Sequence, residues 1–307
     1  MSYYLRVFLN PNGQNKQVWK IENDTAERID VSNTENGPGT FFRANPGETI
    51  WDALSRQTHW LTEFHPLKLQ PGVYYRRMAR PIDHHPSQRL GWNPGIHEEA
   101  DFVANAEGQL TALARQLGRI CQTVQPEEET FKTFGHDIRN LLILACTEVE
   151  SHWRGVLVKN GETKEHLNTR NYVPLREAMR LDEYAVAFPD YPWLVPFKPF
   201  EGWTTASPTS TLRWYDAYNA VKHNRELKFK QATLRHTFEA VAACAIMMAA
   251  QFGLHLDGGW RSELQSFFLF SAVPEWPFSD VYISPYGVGG WSAVPFDFSG
   301  HSGTIGP

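Results

Sequence analysis

The sequence predicts a mixed α+β protein, mainly an α-helical bundle of four or five helices, with a strand- and loop-rich N-terminal region and an aromatic C-terminal tail. Short apolar runs separated by Gly- and Pro-containing turns favour strands up to residue 95. From His97 onwards apolar residues recur with the helical period. Beyond residue 254 glycine, proline and aromatic residues dominate. These changes predict three regions, residues 1–95, 96–254 and 255–307.

Turn signals divide the N-terminal region into short elements. Tyr3–Leu9 is an apolar run that predicts a strand, and the Asn-Pro-Asn-Gly that follows predicts a turn. Asn33–Gly39 predicts a second turn, Thr49–Thr62 a short helix and Gly72–Met78 another strand. Arg80–Gly95 contains three prolines and is expected to be irregular.

Helical periodicity defines the middle region, where apolar residues fall three or four apart. Asn160-Gly161 marks the end of the second helix, and Thr209 or Ser210 is the predicted N-cap of the fourth. Residues 186–208 are rich in proline and aromatic residues and predict a loop. The predicted helices are Ala104–Val124, His136–Val158, the shorter Val173–Tyr184, Thr211–Asn224 and Gln231–Phe252.

Composition limits the classes of function. The 307 residues contain 29 Lys and Arg against 34 Asp and Glu, a net charge of −5, so any nucleic-acid site must be a local patch. Three widely spaced cysteines, Cys121, Cys146 and Cys244, lie in apolar helical patterns and indicate free thiols in a reducing compartment. The N-terminus lacks a signal-peptide pattern, and the longest apolar stretch is too short for a bilayer. A cytoplasmic location without membrane association is therefore expected.

The segment Arg213–Arg225, with the sequence Arg-Trp-Tyr-Asp-Ala-Tyr-Asn-Ala-Val-Lys-His-Asn-Arg, is the main candidate for function. On a helix, Trp214, Tyr218 and Val221 form a buried stripe. A second, polar face is predicted to hold Tyr215, Asn219, Lys222, His223 and Glu226. From Arg213 to His236 six basic and two acidic residues give a local charge of +4. This segment predicts a phosphate-binding patch, with Arg225 just beyond the helix.

The residue types in this segment suit metal-free cleavage of RNA. A histidine such as His223 can move a proton near neutral pH, and Lys222 or Arg225 can stabilise charge on phosphorus. Glu148 and His152 lie four residues apart on the second predicted helix. If the two helices pack antiparallel, Glu148 would lie near Lys222 or His223 and orient the imidazole. The predicted catalytic set is His223, Lys222, Arg225, Asn219, Glu148 and His152, with no cofactor and no metal.

The order of these features resembles the HEPN superfamily of helical-bundle domains, which includes RNases of bacterial defence and toxin–antitoxin systems. The resemblance covers about residues 100–254 and depends on Thr147–His152 and on Tyr218-Asn-Ala-Val-Lys-His-Asn-Arg225. It implies a four- or five-helix bundle and a homodimer with the polar set near the dimer groove. In catalytic HEPN RNases four to six residues lie between an Arg and the following His. Here nine residues lie between Arg213 and His223. The resemblance thus supports the fold more than the activity.

Three functions are weighed. The first is a metal-independent RNase or RNA-binding effector acting through Lys222, His223 and Arg225. The second is a non-catalytic module that binds a protein or a nucleotide, in which Lys222 and Arg225 pair within the chain. The third, ranked last, is a metal-dependent hydrolase that uses N-terminal histidines, namely His59, His65, His84, His85 and His97.

Overall fold

The computed structural model describes residues 1–10, 13–31, 39–56, 63–83, 91–253, 262–286 and 289–301, without the side chains of Asn10, Gln14, Arg225 and Ser262. The predicted turn Asn33–Gly39 and the histidines His59, His84 and His85 fall largely or wholly outside these residues. The chain divides into two compact units. We call Met1–Tyr74, Arg80–Arg89 and Glu275–Val294 the sheet unit, and Tyr75–Ala79, Leu90–Pro274 and Pro295–Pro307 the helical unit. The predicted regions 1–95, 96–254 and 255–307 stay predictions.

Helices and strands are both present, so the mixed α+β class is confirmed. The strands are β1 (Ser2–Asn10), β2 (Gly13–Ile21), β3 (Thr25–Arg28), β4 (Phe41–Arg43), β5 (Phe64–Pro66), β6 (Val73–Tyr75), β7 (Ala185–Ala187), β8 (Leu269–Ala272) and β9 (Ser292–Val294). The α-helices are α1 (Ile50–Ser55), α2 (Ala100–Cys121), α3 (His136–Lys159), α4 (Thr169–Tyr172), α5 (Pro174–Ala178), α6 (Arg213–His223), α7 (Arg225–Lys228), α8 (Leu234–Phe252) and α9 (Ser262–Phe267). The prediction of four or five helices was too low, because periodicity does not detect helices of one turn such as α4 and α7.

An antiparallel sheet with the strand order β4-β3-β2-β1-β5 forms the sheet unit. Successive side chains of a strand point to opposite faces, so neighbours in β2 enter different cores. Leu5 pairs with Val18, and both pack on one face with Val281 and Ile283. Trp19 lies on the other face, in a cluster that includes buried residues of α1. The predicted strand Tyr3–Leu9 is confirmed as part of β1.

The helical unit is organised around α8, whose residues from Phe238 to Phe252 are buried except Glu239. Its alanines leave room for close packing, and α3, α2 and α6 all contact it. The four long predicted helices correspond to α2, α3, α6 and α8, whereas the shorter predicted helix Val173–Tyr184 is broken into α5 and a 3-10 turn at Leu181–Glu183. Residues 186–208 are not entirely loop, because β7 pairs with β8. The aromatic tail thus contains β-structure, in β8 and β9.

No helix within the described ranges is both long enough and apolar enough to span a bilayer. All three cysteines are buried free thiols, as predicted. Burial raises the pKa of the Cys146 and Cys244 thiols well above the ordinary value. Both therefore stay protonated and behave as apolar core atoms.

Candidate functional site

Helix α6 holds the main predicted segment and runs from Arg213 to His223. Leu212 precedes it and no side chain caps its first turn, so the predicted cap at Thr209 or Ser210 is wrong. Trp214, Tyr218 and Val221 are buried, which confirms the predicted apolar stripe.

Tyr215 was predicted on the polar face of α6, and this is wrong, because the residue is only 4% exposed. Its ring centroid lies 5.3 Å from that of Trp153 of α3. The buried arc of α6 is therefore wider than a single stripe, since the helix contacts both α3 and α8.

A polar network connects α3 with α6, and we call Glu150, Tyr215, Tyr218 and Lys222 the Glu150 network. The Tyr215 hydroxyl donates a short hydrogen bond to Glu150, and the Tyr218 hydroxyl lies 3.5 Å from the other carboxylate oxygen. Lys222 Nζ donates to Tyr218 Oη at 2.9 Å. The Tyr218 hydroxyl thus connects the ammonium with the carboxylate, and Tyr215 donates to the same carboxylate separately.

The electrostatics of the Glu150 network keep its proton donors protonated at neutral pH. Burial, followed by the hydrogen bond to Glu150, raises the pKa of Tyr215 above its ordinary value. The hydrogen bond to Tyr218 raises the pKa of Lys222, and the charge of Glu150 adds to this effect. Lys222 is therefore a fixed cation, and its side chain is exposed on the solvent side of the network.

Glu148 and His152 lie elsewhere on α3 and form a separate pair. His152 Nε2 is 3.3 Å from Glu148 Oε1, and His152 is 1% exposed. The Gln251 amide donates to His152 Nδ1 at 2.8 Å and to the Met247 carbonyl at 2.9 Å. Because Nδ1 accepts, the proton of a neutral imidazole is on Nε2, facing Glu148. His152 is therefore a core residue held from both sides.

The carboxylate that meets the Lys222 network is Glu150, whereas the sequence had predicted Glu148 for this role. Residues two apart on a helix point to different faces, so these acids enter different environments. The spacing of Tyr215, Tyr218 and Lys222 indicates that they share one side of α6, but it does not show which acid of α3 they meet. Arg154 lies four residues after Glu150, and its guanidinium donates to the Glu165 carbonyl at 2.9 Å.

The remaining predicted residues lie at the end of α6. His223 is exposed, and its ring makes no hydrogen bond or ion pair with the residues that the structure describes. Asn219 is half-buried one turn earlier. Arg225 begins α7, and its side chain lies outside the description. Asn224 separates the two helices and caps α7 by accepting from the Leu227 amide at 3.2 Å.

Exposed cations continue beyond α6. Lys228 and Lys230 are exposed, and Lys230 Nζ lies 6.0 Å from the ring centroid of Phe134. Phe229, between them, packs edge-on against Phe134 with ring centroids 5.9 Å apart. Neither phenylalanine is among the candidate residues predicted from the sequence. An aromatic residue between two lysines is the pattern that could have pointed to them.

Within the described ranges, no group of three or more His, Cys, Asp or Glu side chains is placed to hold a metal ion. His65 of the sheet unit packs on Phe278, with ring centroids 4.4 Å apart. No family model, curated protein or solved structure matches the chain. The features that bear on function are therefore the exposed cations, the Glu150 network and the surrounding aromatic residues.

Proposed function

We propose that this protein binds single-stranded RNA through the exposed cations at the end of α6 and along α7. The observation that supports the proposal most directly is the charge of +4 between Arg213 and His236 in a chain of net −5. We call Lys222, His223, Lys228 and Lys230 the basic face; all four side chains are exposed. Phosphate binding by such a local patch needs no basic overall composition.

A cation that already pairs with an acid of the chain is less available to bind phosphate. Arg235 belongs to the same segment but lies 3.4 Å from Glu239 and 3.4 Å from Glu128, so its charge is already compensated. Lys228 forms no ion pair with any residue that the structure describes. Lys222 donates one hydrogen bond to a neutral hydroxyl and keeps two further N–H donors. Lys222 and Lys228 are therefore the best placed for phosphate.

Replacement of both lysines in Lys222→Gln/Lys228→Gln is expected to weaken binding of a single-stranded oligoribonucleotide about tenfold at low salt. Each lost phosphate contact should also reduce the slope of log K against log salt by about 0.7. Fluorescence anisotropy with a 3′-labelled RNA of twelve adenylates, called A12, over a series of salt concentrations measures both the affinity and its salt dependence.

A matched control is Lys164→Gln/Lys198→Gln, which changes the net charge equally. Both of its lysines are more than 45% exposed and lie near acids at 3.8 and 3.6 Å. The control should bind A12 as the unchanged protein does. Equal weakening in both double variants would mean that net charge alone acts, and would refute the basic face.

A second candidate is metal-free cleavage of the bound RNA, and the exposure of His223 beside Lys222 favours it. His223 would remove the proton of a ribose 2′-hydroxyl, whose oxygen attacks the adjacent phosphorus. The bond from phosphorus to the 5′ oxygen breaks, which gives a 2′,3′-cyclic phosphate. The leaving 5′ oxygen takes up a proton and becomes a hydroxyl. Lys222 would stabilise the charge on the phosphoryl oxygens.

Cleavage by this route is expected to persist in EDTA and to fall at least about 100-fold in His223→Ala. The readout is gel analysis of a labelled RNA with identification of the cyclic phosphate end. His166→Ala serves as the matched control, since His166 is another exposed histidine of the helical unit. Undiminished cleavage in His223→Ala would exclude this role, whereas RNA binding without cleavage leaves the first function in place.

We further propose that α2, α3, α6 and α8 form a HEPN-like bundle and that the protein acts as a homodimer. The mutual contacts of α8 with α2, α3 and α6 support the bundle. A dimer would place two basic faces on one RNA and so increase avidity. Sedimentation equilibrium of the whole protein tests this, and a monomer at all concentrations would refute it.

A further inference from the structure

A surface cavity of about 580 Å³ lies in the helical unit between the end of α2 and the start of α3. Its volume is in the range of small-molecule sites, roughly 300–1000 Å³. Polar or charged groups from both sides line it, among them Gln116, Arg119, Thr123 and His136. None of these residues belongs to the Glu150 network or to the predicted catalytic set.

One wall of the cavity is an accessible aromatic ring. Phe134 is 41% exposed and lines the cavity. Its ring is held edge-on by Phe229, whose own ring centroid lies 5.0 Å from that of His136. The T-shaped contact restrains the ring while 41% of the residue stays exposed, so an accessible part of Phe134 can stack on a planar ligand.

Cations lie near the Phe134 ring and the adjoining Phe229 ring. Arg119 lines the cavity, is exposed, and forms no hydrogen bond or ion pair with any part of the chain that the structure describes. Lys230 Nζ lies 6.0 Å from the Phe134 centroid, and the Arg139 guanidinium lies 5.8 Å from the Phe229 centroid. Asp137 is the one acid among the lining residues. Arg119 is therefore the lining cation best placed to pair with an anion, and Lys230 adds a second positive charge beside Phe134.

We infer that this cavity binds one ribonucleotide unit, with the base stacked on Phe134 and the phosphate paired with Arg119. A nucleotide combines a flat aromatic base, hydroxyl groups and an anion, and the cavity offers a partner for each. Gln116 and Thr123 can bond to the polar edge of the base or to the ribose. The nucleotide can be free or can be an unpaired unit of a strand, and the second case rests on the proposed function.

Lys230 connects the cavity with the basic face, because it belongs to that face and its Nζ lies 6.0 Å from the centroid of the Phe134 ring. A strand whose backbone follows Lys222 and Lys228 could place one base in the cavity. Non-specific single-strand binders combine cationic tracks with stacking side chains in this way. The cavity would then set the position of the strand relative to His223.

The test uses the whole protein and three probes: adenosine, AMP and 3′-labelled A12. Phe134→Leu keeps an apolar side chain but removes the aromatic face, and is expected to weaken binding of AMP or A12 by about 5- to 150-fold. Phe134→Trp should retain the affinity. Arg119→Gln should remove the preference for AMP over adenosine, whereas Arg170→Gln, at an exposed arginine of α4, should not.

Binding of AMP that depends on Phe134 identifies a free-nucleotide site, and dependence seen only with A12 identifies a strand unit. Affinities within about twofold of the unchanged protein in both Phe134→Leu and Arg119→Gln would overturn the inference. If A12 binding weakens in Lys222→Gln/Lys228→Gln but in neither Phe134→Leu nor Arg119→Gln, the proposed function is supported and the cavity inference is refuted. Phe134-dependent AMP binding with an ineffective lysine pair would support the cavity and refute the proposed function.

Discussion

Trp153→Ala is expected to lower the free energy of unfolding of the helical unit by about 3–5 kcal/mol. Trp153 is fully buried in α3, and its ring stacks on Trp203 at 4.8 Å between centroids. The rings of Tyr172 and Tyr215 lie 5.3 Å away on other sides. Alanine would leave a large void among rigid rings that cannot move together to fill it. Urea denaturation followed by circular dichroism at 222 nm measures the change.

Trp153→Phe is the matched control for this prediction. The indole Nε1 of Trp153 has no acceptor within the described residues, so the polar group contributes no hydrogen bond there. Phenylalanine keeps most of the ring volume and removes an unsatisfied donor, and it should cost much less than alanine. A loss in Trp153→Phe as large as in Trp153→Ala would show that the indole N–H, not the volume, matters. Trp153→Ala should also weaken the Glu150 network, since Tyr215 packs on the deleted ring.

Glu99→Gln is expected to cost about 3 kcal/mol, because it leaves a buried guanidinium without its counter-charge. Arg77 is 6% exposed and bonds Glu99 through Nε at 2.9 Å and Nη2 at 2.5 Å. Its guanidinium also lies 3.7 Å from the centre of the Phe102 ring. Arg77 has a left-handed backbone with φ of 52°, a strain that these contacts offset. The guanidinium also lies so close to Gly155 that a Cβ there would clash with Arg77 Nη1.

The stabilisation by the Glu99 carboxylate depends on pH in a definite direction. Burial alone raises the pKa of Glu99, but the hydrogen bonds and charges of Arg77 and Lys159 outweigh it and hold the pKa below 4.5. The stabilisation is therefore fully present above about pH 4.5 and is lost as the pH falls through the lowered folded-state pKa. The difference in unfolding free energy between the unchanged protein and Glu99→Gln should shrink over that acid range.

The same substitution at an exposed pair provides the control. Glu263 bonds Arg115 at 2.5 and 2.6 Å, but the two side chains are 36% and 61% exposed. Glu263→Gln should change stability little at any pH, because water screens and replaces the interaction. Similar losses in the two variants would contradict the role assigned to burial.

The long helices and the buried stripe of α6 could be predicted because apolar spacing determines them. The environments of the polar residues could not. Periodicity shows that Glu148 and Glu150 lie on different faces of α3, but not which face meets α6. Tyr215 was grouped with Asn219 and Lys222 because of helical spacing, yet its ring packs on Trp153 and its hydroxyl donates to Glu150. An amphipathic side chain can satisfy both requirements at once.

The cavity was not predicted for a related reason. Arg119 and Phe134 belong to segments on either side of the break at Pro126, and sequence spacing does not show that both line one cavity. Phe134 meets Phe229 across almost a hundred residues of chain. Such pairs depend on how helices are placed in three dimensions, and local patterns contain no information about that placement.

The sheet unit contains chain segments that are far apart in sequence, and this affects the order of its assembly during synthesis. One face of β1 and β2 is covered by Val281 and Ile283, and Lys16 bonds Tyr286, which is 270 residues away. A ribosome adding 5–20 residues per second would leave that apolar face open for roughly 15–50 seconds. During this interval Leu5 and Val18 lack the native cover of Val281 and Ile283, and chaperone binding to the nascent hairpin would protect the chain from aggregation.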